Sequence, residues 1–574
     1  MTRARAMATV FVAVGAALAT FGIGDSSRST VEAAPESERV LLISDSVGLG
    51  TRGILPDAFP AHWDVNIIGK PAAFVESLLD DHFRVAQQLT PGIIGDHVIV
   101  AGGYNYPFWD PERFDRSIDD MVNALTAAGV EHVYWVTLRE VKPEYITASA
   151  WRQVQPYYWY FPRVNQHLRD ALWRHPNLTL VDWAANADQP GLTYDAIHLN
   201  QTGATLYSQL IARAVELAST QLVDGQTIEI DVTDDPAASA VMVNLAAVFP
   251  RRMGFVTASP CDEPLPNASQ LVYRRDDVVA AGSIIPVDDQ GRICAFVLSG
   301  TNLIADVSGT FTSSAGVVDA PPNRIFDSRI DPGRRLTPGT YEVTVTDGVD
   351  PVTDPVALTV GAVFPDRPGY VAAHPCDQQH ETVTVNLLQP DRSLTNMVIV
   401  EPDAQGRVCM TIEQATMDLV VDRTATFASD PGDAAAAVQV ATPTRLVDTR
   451  DWTSRPVADQ IIRFSLADTE FVTAAEPPVP TVEAVGFNLG IIAPDRPGFA
   501  TVWPCAEARP NTSNINFFGG EIISNFVVGI ADDDGEVCVS ATTGTHLTID
   551  VLAGFGDGFD ATLPTRALDT RLSG

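Results

Sequence analysis

The chain has 574 residues, too many for one hydrophobic core, so three or more domains are expected. Its composition is globular, 45% hydrophobic and 19% charged, and its net charge of −35 argues against nucleic acid, because phosphate binding needs a basic surface. The charge is uneven: residues 38–222 hold 21 acidic and 13 basic side chains, residues 223–574 hold 48 and 21, so the acidity of the second half favours solubility over adhesion to anionic surfaces.

Arg3 and Arg5 precede an apolar stretch from Ala6 to Gly24, followed by a polar Ser/Asp/Glu segment. That layout predicts a signal peptide or N-terminal anchor plus linker over residues 1–37, with "VEA" (31–33) as a cleavage site, in a secreted or cell-surface protein. The stretch is also long enough to stay as an uncleaved N-terminal anchor, the one membrane contact expected.

From residue 38 to 222, short apolar runs alternate with amphipathic segments. The runs are "VLLI" (40–43), "VNII" (65–68), "HVIVA" (97–101), "HVYWVTL" (132–138) and "LTLV" (178–181). Helix-like stretches lie near 74–89, 111–128, 163–175 and 201–219. Five strands alternating with helices predict an α/β domain whose parallel sheet is covered on both faces. The ligand crevice of such a sheet lies beyond the carboxyl ends of its strands. "ISDSVGLG" (43–50), "IIGKPA" (67–72) and "AGGYNYP" (101–107) all follow strands and therefore sit there.

Late in this half comes "YDAIHLNQTGATLY" (194–207), with Asp195 and His198 three apart before the last amphipathic segment. Hydrolysis through a serine needs a nucleophile, a base for its proton and a carboxylate fixing the imidazole. Ser46, His198 and Asp195 supply those types, with Asp182 as the alternative acid. Gly69 offers a backbone N–H and Asn105 a side-chain amide for the oxyanion. Asp45 reads as a turn former. The aromatic segment "WRQVQPYYWYFPRVN" (151–165) reads either as a lid or sugar-stacking platform, through Trp151, Tyr157, Tyr158 and Trp159, or as a loop folded onto its own core.

This ordered set resembles the SGNH/GDSL hydrolase superfamily: "SDSVGLG" looks like its GDS block, "IIGK" its Gly block, "GGYN" its GxN block and "DAIH" its closing DxxH. The resemblance covers about a third of the chain and implies a flavodoxin-like parallel sheet. It makes Ser46 the nucleophile, His198 the base and Asp195 its partner, with the Ser46 and Gly69 N–H groups and the Asn105 amide as oxyanion hole. Its implied substrates are small esters or acylated glycans, with no cofactor and no metal. An O-acetyltransferase, lipase or lysophospholipase would use the same site, and a non-catalytic surface adhesin is the competing class. Ser44 stands where the family has glycine, which is costly only if that position needs positive φ. Tyr106 stands where an aspartate follows the GxN asparagine.

After residue 223 the chain repeats. "RIFDSR" (324–329), "RLVDTR" (445–450) and "RALDTR" (566–571) recur with their aspartates 121 residues apart. Each repeat has two cysteines at a constant spacing, predicting the disulfides Cys261–Cys294, Cys376–Cys409 and Cys505–Cys538. Two thiols per repeat without nearby histidines make a poor zinc site. "DDQG" and "DDDG" read as hairpin turns rather than calcium loops. Alternating short strands predict three all-β, sandwich-like domains over residues 223–335, 336–456 and 457–574, each ending in the motif. They resemble repeated β-modules of exported actinobacterial proteins with an LDTR-like motif. An internal salt bridge is expected to close each, and cell-wall or glycan contact is their expected partner role.

Overall fold

The computed structural model describes residues 38–572 except 107–109, 147, 313–316, 318–320, 347–350, 380–381, 428–437, 472–480 and 511; the signal or anchor segment lies outside the described residues. Five parallel strands, β1 (Glu38–Ser44), β2 (Trp63–Gly69), β3 (His97–Ala101), β4 (His132–Val136) and β5 (Leu178–Val181), form one sheet in the order β2-β1-β3-β4-β5. Val40–Ile43 and Val98–Val100 are fully buried, as expected of strands covered on both faces.

A short helix, α1 (Ser46–Leu49), comes directly after β1, and three long ones come later in the domain: α2 (Pro111–Ala127), α3 (Tyr157–Ala171) and α4 (Gln201–Ser219). In α2 the buried residues Phe114, Ile118, Met121, Val122 and Leu125 form a single stripe at helical spacing. Helix α4 starts where the Asn200 side chain accepts the Gly203 N–H (3.0 Å). Residues 75–89 are helical in three pieces, Val75–Ser77, Leu78–Phe83 and Arg84–Leu89, the middle one a π-helix. Helix α3 begins earlier than the periodicity indicated, because Tyr160 and Phe161 are buried and draw its first turn onto the core.

Beyond residue 223 the described residues form six four-stranded antiparallel sheets. All three cysteine pairs are bonded as their spacing predicts. The repeat phase differs from the expected one. Strand Asn323–Asp327, which carries "RIFDSR", pairs with Asp418–Thr426, downstream of the predicted boundary at 335. Val438–Asp448 likewise pairs with His546–Phe555. The last strand, Phe559–Asp569, returns to pair with Asn302–Thr312. The first two motif strands therefore pair with strands that follow them, and the third pairs with one that precedes it. A repeat of constant period leaves its phase open, and the first two of these pairings run across residues 335 and 456.

Within each copy the first arginine bonds an aspartate on the neighbouring strand: Arg324–Asp422 (2.7 Å), Arg445–Asp550 (2.6 Å) and Arg566–Asp306 (2.6 Å). The motif aspartates Asp327, Asp448 and Asp569 each hold both motif arginines. Asp288, Asp403 and Asp532 each accept two turn N–H groups on one oxygen, and the other oxygen of Asp288 and of Asp403 accepts from Arg292 and Arg407.

One apolar core runs through all three units, separate from that of the α/β domain. Strands Val278–Pro286, Leu394–Val400 and Ile522–Ile530, one per unit, lie against each other. At matching positions before them stand Asp277, Arg392 and Glu521, all buried; Arg392 pairs with Glu521 and lies 4.0 Å from Asp277. The α/β domain rests on the first unit through the end of α4, where Thr220 donates to Asn302 (3.0 Å) and Arg251 to Gln221 (2.7 Å).

Candidate active site

Strand β1 ends at Ser44, and its chain turns directly into α1. Asp45 caps that turn, its Oδ1 accepting the Val47 N–H (3.0 Å), and Ser46 follows as the first helical residue. Its N–H therefore has no partner within the helix. Ser44 is part of the strand and is absent from the positive-φ residues. Its hydroxyl donates to the Ala101 and Asp45 carbonyls (both 3.0 Å). Serine is thus harmless where glycine was expected, and Gly48 supplies the space, since a Cβ there would collide with the Ser44 hydroxyl.

Gly69 ends β2 beside Ser44, at φ +135°, and a Cβ there would strike the Ser44 carbonyl. Only glycine lets the two strands approach this closely at their carboxyl ends. Asn105 lies in the turn after β3. Its amide donates to Asp45 Oδ2 and to the Ala73 carbonyl, both at 3.3 Å.

The fourth element is the loop before α4. Ser46 Oγ lies 3.0 Å from His198 Nε2, and His198 Nδ1 lies 2.7 Å from Asp195 Oδ2. The other Asp195 oxygen accepts the N–H groups of Ile197 (3.0 Å) and His198 (2.7 Å). Burial pushes the Asp195 carboxyl up, but the His198 N–H, the His198 ring and the Ile197 N–H outweigh it and hold the group below the usual carboxylate range. It stays ionised at neutral pH and accepts from Nδ1, which leaves Nε2 facing Ser46 as the acceptor nitrogen. Ala196, between the two residues, adopts φ +75°, a strained turn that brings both N–H groups onto one oxygen.

The structure brings together Ser46, Asp195 and His198, with Gly69 and Asn105 flanking them through Ser44 and Asp45. Asp182 is elsewhere: it caps the short helix Trp183–Asn186 and accepts from Thr137 (3.2 Å). Of the aromatic segment, Tyr157 stacks on Phe161 (5.0 Å) and Trp151 packs edge-on against Tyr158 (5.8 Å). Tyr158 and Trp159 are exposed, so only part of that segment faces solvent.

Two residues, Tyr194 and Arg139, escaped the sequence reading, whereas Asp45, read as a turn former, does cap its turn and differs only in its burial. Asp45 is fully buried, and burial raises its carboxyl to about 7. Tyr194, itself exposed, stacks on the His198 ring (5.7 Å, 13°). Arg139 lies fully buried just past β4. A basic residue immediately after the apolar run 132–138, at the edge where the ligand crevice lies, was the available signal for it.

No family profile matches the chain, and no curated protein matches it. Among solved structures, the chain is similar to the C-terminal catalytic domain of peptidoglycan O-acetyltransferase A from Streptococcus pneumoniae (20% identity, TM-score 0.25, covering 32% of this chain and 96% of that one). It is similar to a lipase/acylhydrolase from Enterococcus faecalis (19%, TM-score 0.25, 31% and 95%). A member of the lipolytic G-D-S-L family from Veillonella parvula is a third (15%, TM-score 0.24, 32% and 98%). Each of these likenesses covers 31–32% of this chain.

Proposed function

We propose that the N-terminal domain is an SGNH-type serine esterase that cleaves O-acyl esters through an acyl-Ser46 intermediate. The observation that carries this reading is the continuous chain Ser46 Oγ–His198 Nε2 (3.0 Å) and His198 Nδ1–Asp195 (2.7 Å), at distances suited to proton transfer. In the proposed reaction His198 takes the Ser46 proton as Oγ attacks the ester carbonyl carbon. Asp195 holds the imidazole in the tautomer that accepts on Nε2 and stabilises the imidazolium formed. The N–H groups of Ser46 and Gly69 receive the developing oxyanion. Asn105 joins them by giving up one of its two 3.3 Å bonds. The imidazolium then protonates the leaving alkoxide, and water, activated by the same nitrogen, releases the acid. A sugar hydroxyl in place of that water would make the same site an O-acyltransferase.

The proposed setting is outside the cytoplasm, since three disulfides need an oxidising compartment. Acylated glycans are the substrate class we assign. The three sheet pairs are read as β-sandwich units that present the catalytic domain to a glycan or cell wall. The test is turnover of p-nitrophenyl acetate and labelling by a fluorophosphonate, both lost in Ser46→Ala. A wild-type protein that neither turns over esters nor takes the label would be a binding protein, and the proposal would fall.

A further inference from the structure

We propose that Arg139 is a positioning residue that sets the loop carrying Asp195 and His198. The inference rests on the reading of Ser46, His198 and Asp195 as the reacting set.

Arg139 is 1% exposed. Burying a guanidinium costs several kcal/mol unless its N–H groups are satisfied. Every acceptor it meets is neutral, and all four come from one stretch of chain. Nε donates to the Ala187 carbonyl (2.9 Å) and Nη2 to the Gln189 carbonyl (2.6 Å). Nη1 donates to Thr193 Oγ1 (2.8 Å) and, at 3.4 Å, to the Ala196 carbonyl. Of the two acids in this stretch, Asp188 is taken by Lys142 and Tyr145 (2.5 Å each) and Asp195 by Ile197 and His198. Arg139 itself is held from behind: its N–H donates to the buried Tyr104 hydroxyl (2.9 Å), and its guanidinium lies over the Tyr145 ring (5.0 Å).

The four acceptors span residues 187–196, which lead directly into His198. The last of them, Ala196, is the strained residue whose turn places the Ile197 and His198 N–H groups on Asp195. The loop is also held at Asp188 by Lys142 and Tyr145, and at its far end, where Asn200 donates to the Gly191 carbonyl (2.9 Å) and the Leu192 carbonyl (3.1 Å) and Thr193 bridges Leu199; of the side chains that hold it, Arg139 is the one that reaches Ala196. A rigid fork with donors in fixed directions suits four acceptors at different bearings; a lysine ammonium offers one centre and cannot reach them all. Arg139 thus converts the position of β4 in the sheet into the position of the catalytic imidazole.

The experiment compares Arg139→Lys and Arg139→Met with wild type by three readouts: kcat and KM on p-nitrophenyl acetate, the rate of fluorophosphonate labelling of Ser46, and the low-field proton resonance of His198 Nδ1–H. Melting by tryptophan fluorescence identifies folded variants. A displacement of about 1 Å in a reacting group costs up to about 100-fold, so the expected result is kcat and labelling down about 10- to 100-fold, KM within about 3-fold, and the resonance shifted or lost. A folded Arg139→Lys with kcat, labelling and resonance like wild type overturns the proposal. If both variants fail to fold, Thr193→Val decides: a fall in kcat of about 3-fold or more with a shifted resonance supports it, and wild-type values refute it. Should the wild-type protein turn over no ester, the esterase reading falls alone, because the resonance still reports whether Arg139 sets the imidazole.

Discussion

Ser44 and Gly48 form a pair whose interdependence is measurable. A Cβ on Gly48 would lie 2.9 Å from Ser44 Cβ and 3.1 Å from Ala101 Cβ, and it would displace the Ser44 hydroxyl from its bond to Ala101. Gly48→Ala gains up to about 1 kcal/mol of helix propensity. It loses about 1–3 kcal/mol to overpacking, for a net loss near 1. Ser44→Gly loses one buried hydrogen bond, about 1 kcal/mol. It also pays about 0.5–1 kcal/mol for glycine in a strand. In the double variant the main collision is gone while the helix gain remains, so the total loss is about 1 kcal/mol rather than the additive ~3. The coupling is therefore about 2 kcal/mol. Urea unfolding followed by tryptophan fluorescence reads it, because seven of the nine tryptophans precede residue 223. Losses that add to within about 0.5 kcal/mol would refute the pairing.

Burial raises Asp45 to about 7 from 3.8, so the folded domain keeps a proton that the unfolded chain releases. The Asp45 contribution is then fully present below about pH 4 and lost as pH rises through 7, on the order of 4 kcal/mol in all. Asp45→Asn should remove that slope; urea midpoints that run parallel to wild type from pH 4 to 8 would contradict it. Replacing Cys376 and Cys409 together by alanine should cost the second unit about 4 kcal/mol by the chain-entropy model, checked by calorimetry, with a loss under about 1 kcal/mol counting against that account. Arg392→Met leaves Asp277 and Glu521 buried without their cation and should cost about 3–5 kcal/mol. Adding Glu521→Gln should recover part of it, and no recovery would mean that the loss comes from packing.

The α/β half was legible because a parallel sheet buried on both faces writes its strands as apolar runs, and because Gly69 and Asn105 stand directly after two of them. The spacing of Asp195 and His198 was legible for the same local reason: a carboxylate three residues before the ring can hold both its N–H and its imidazole. What stayed hidden depends on contacts distant in sequence. Ser44 could not be judged until Gly48 was seen packed against it. Arg139 is an ordinary surface-type residue by identity, and only the fold brings residues 187–196 around it. The aromatic run at 151–161 looked uniform, yet burial divides it, with Tyr160 and Phe161 inside and Trp159 outside. The repeats disclosed their period and their disulfides, whereas their phase depended on which strand each motif would pair with.

The return of Phe559–Asp569 to the first unit also sets an order of events during synthesis. Ile304 is paired with Asp569, 265 positions later, so the edge of Asn302–Thr312 lacks this neighbour until those residues exist. At ordinary elongation rates of about 5–20 residues per second, that edge stays bare on the order of 10–50 s. Asn302–Thr312 is buried nearly throughout in the finished sheet, which makes it an adhesive surface while it waits. A product truncated between Asn302–Thr312 and Phe559–Asp569 therefore displays an open β edge on the sheet next to the α/β domain.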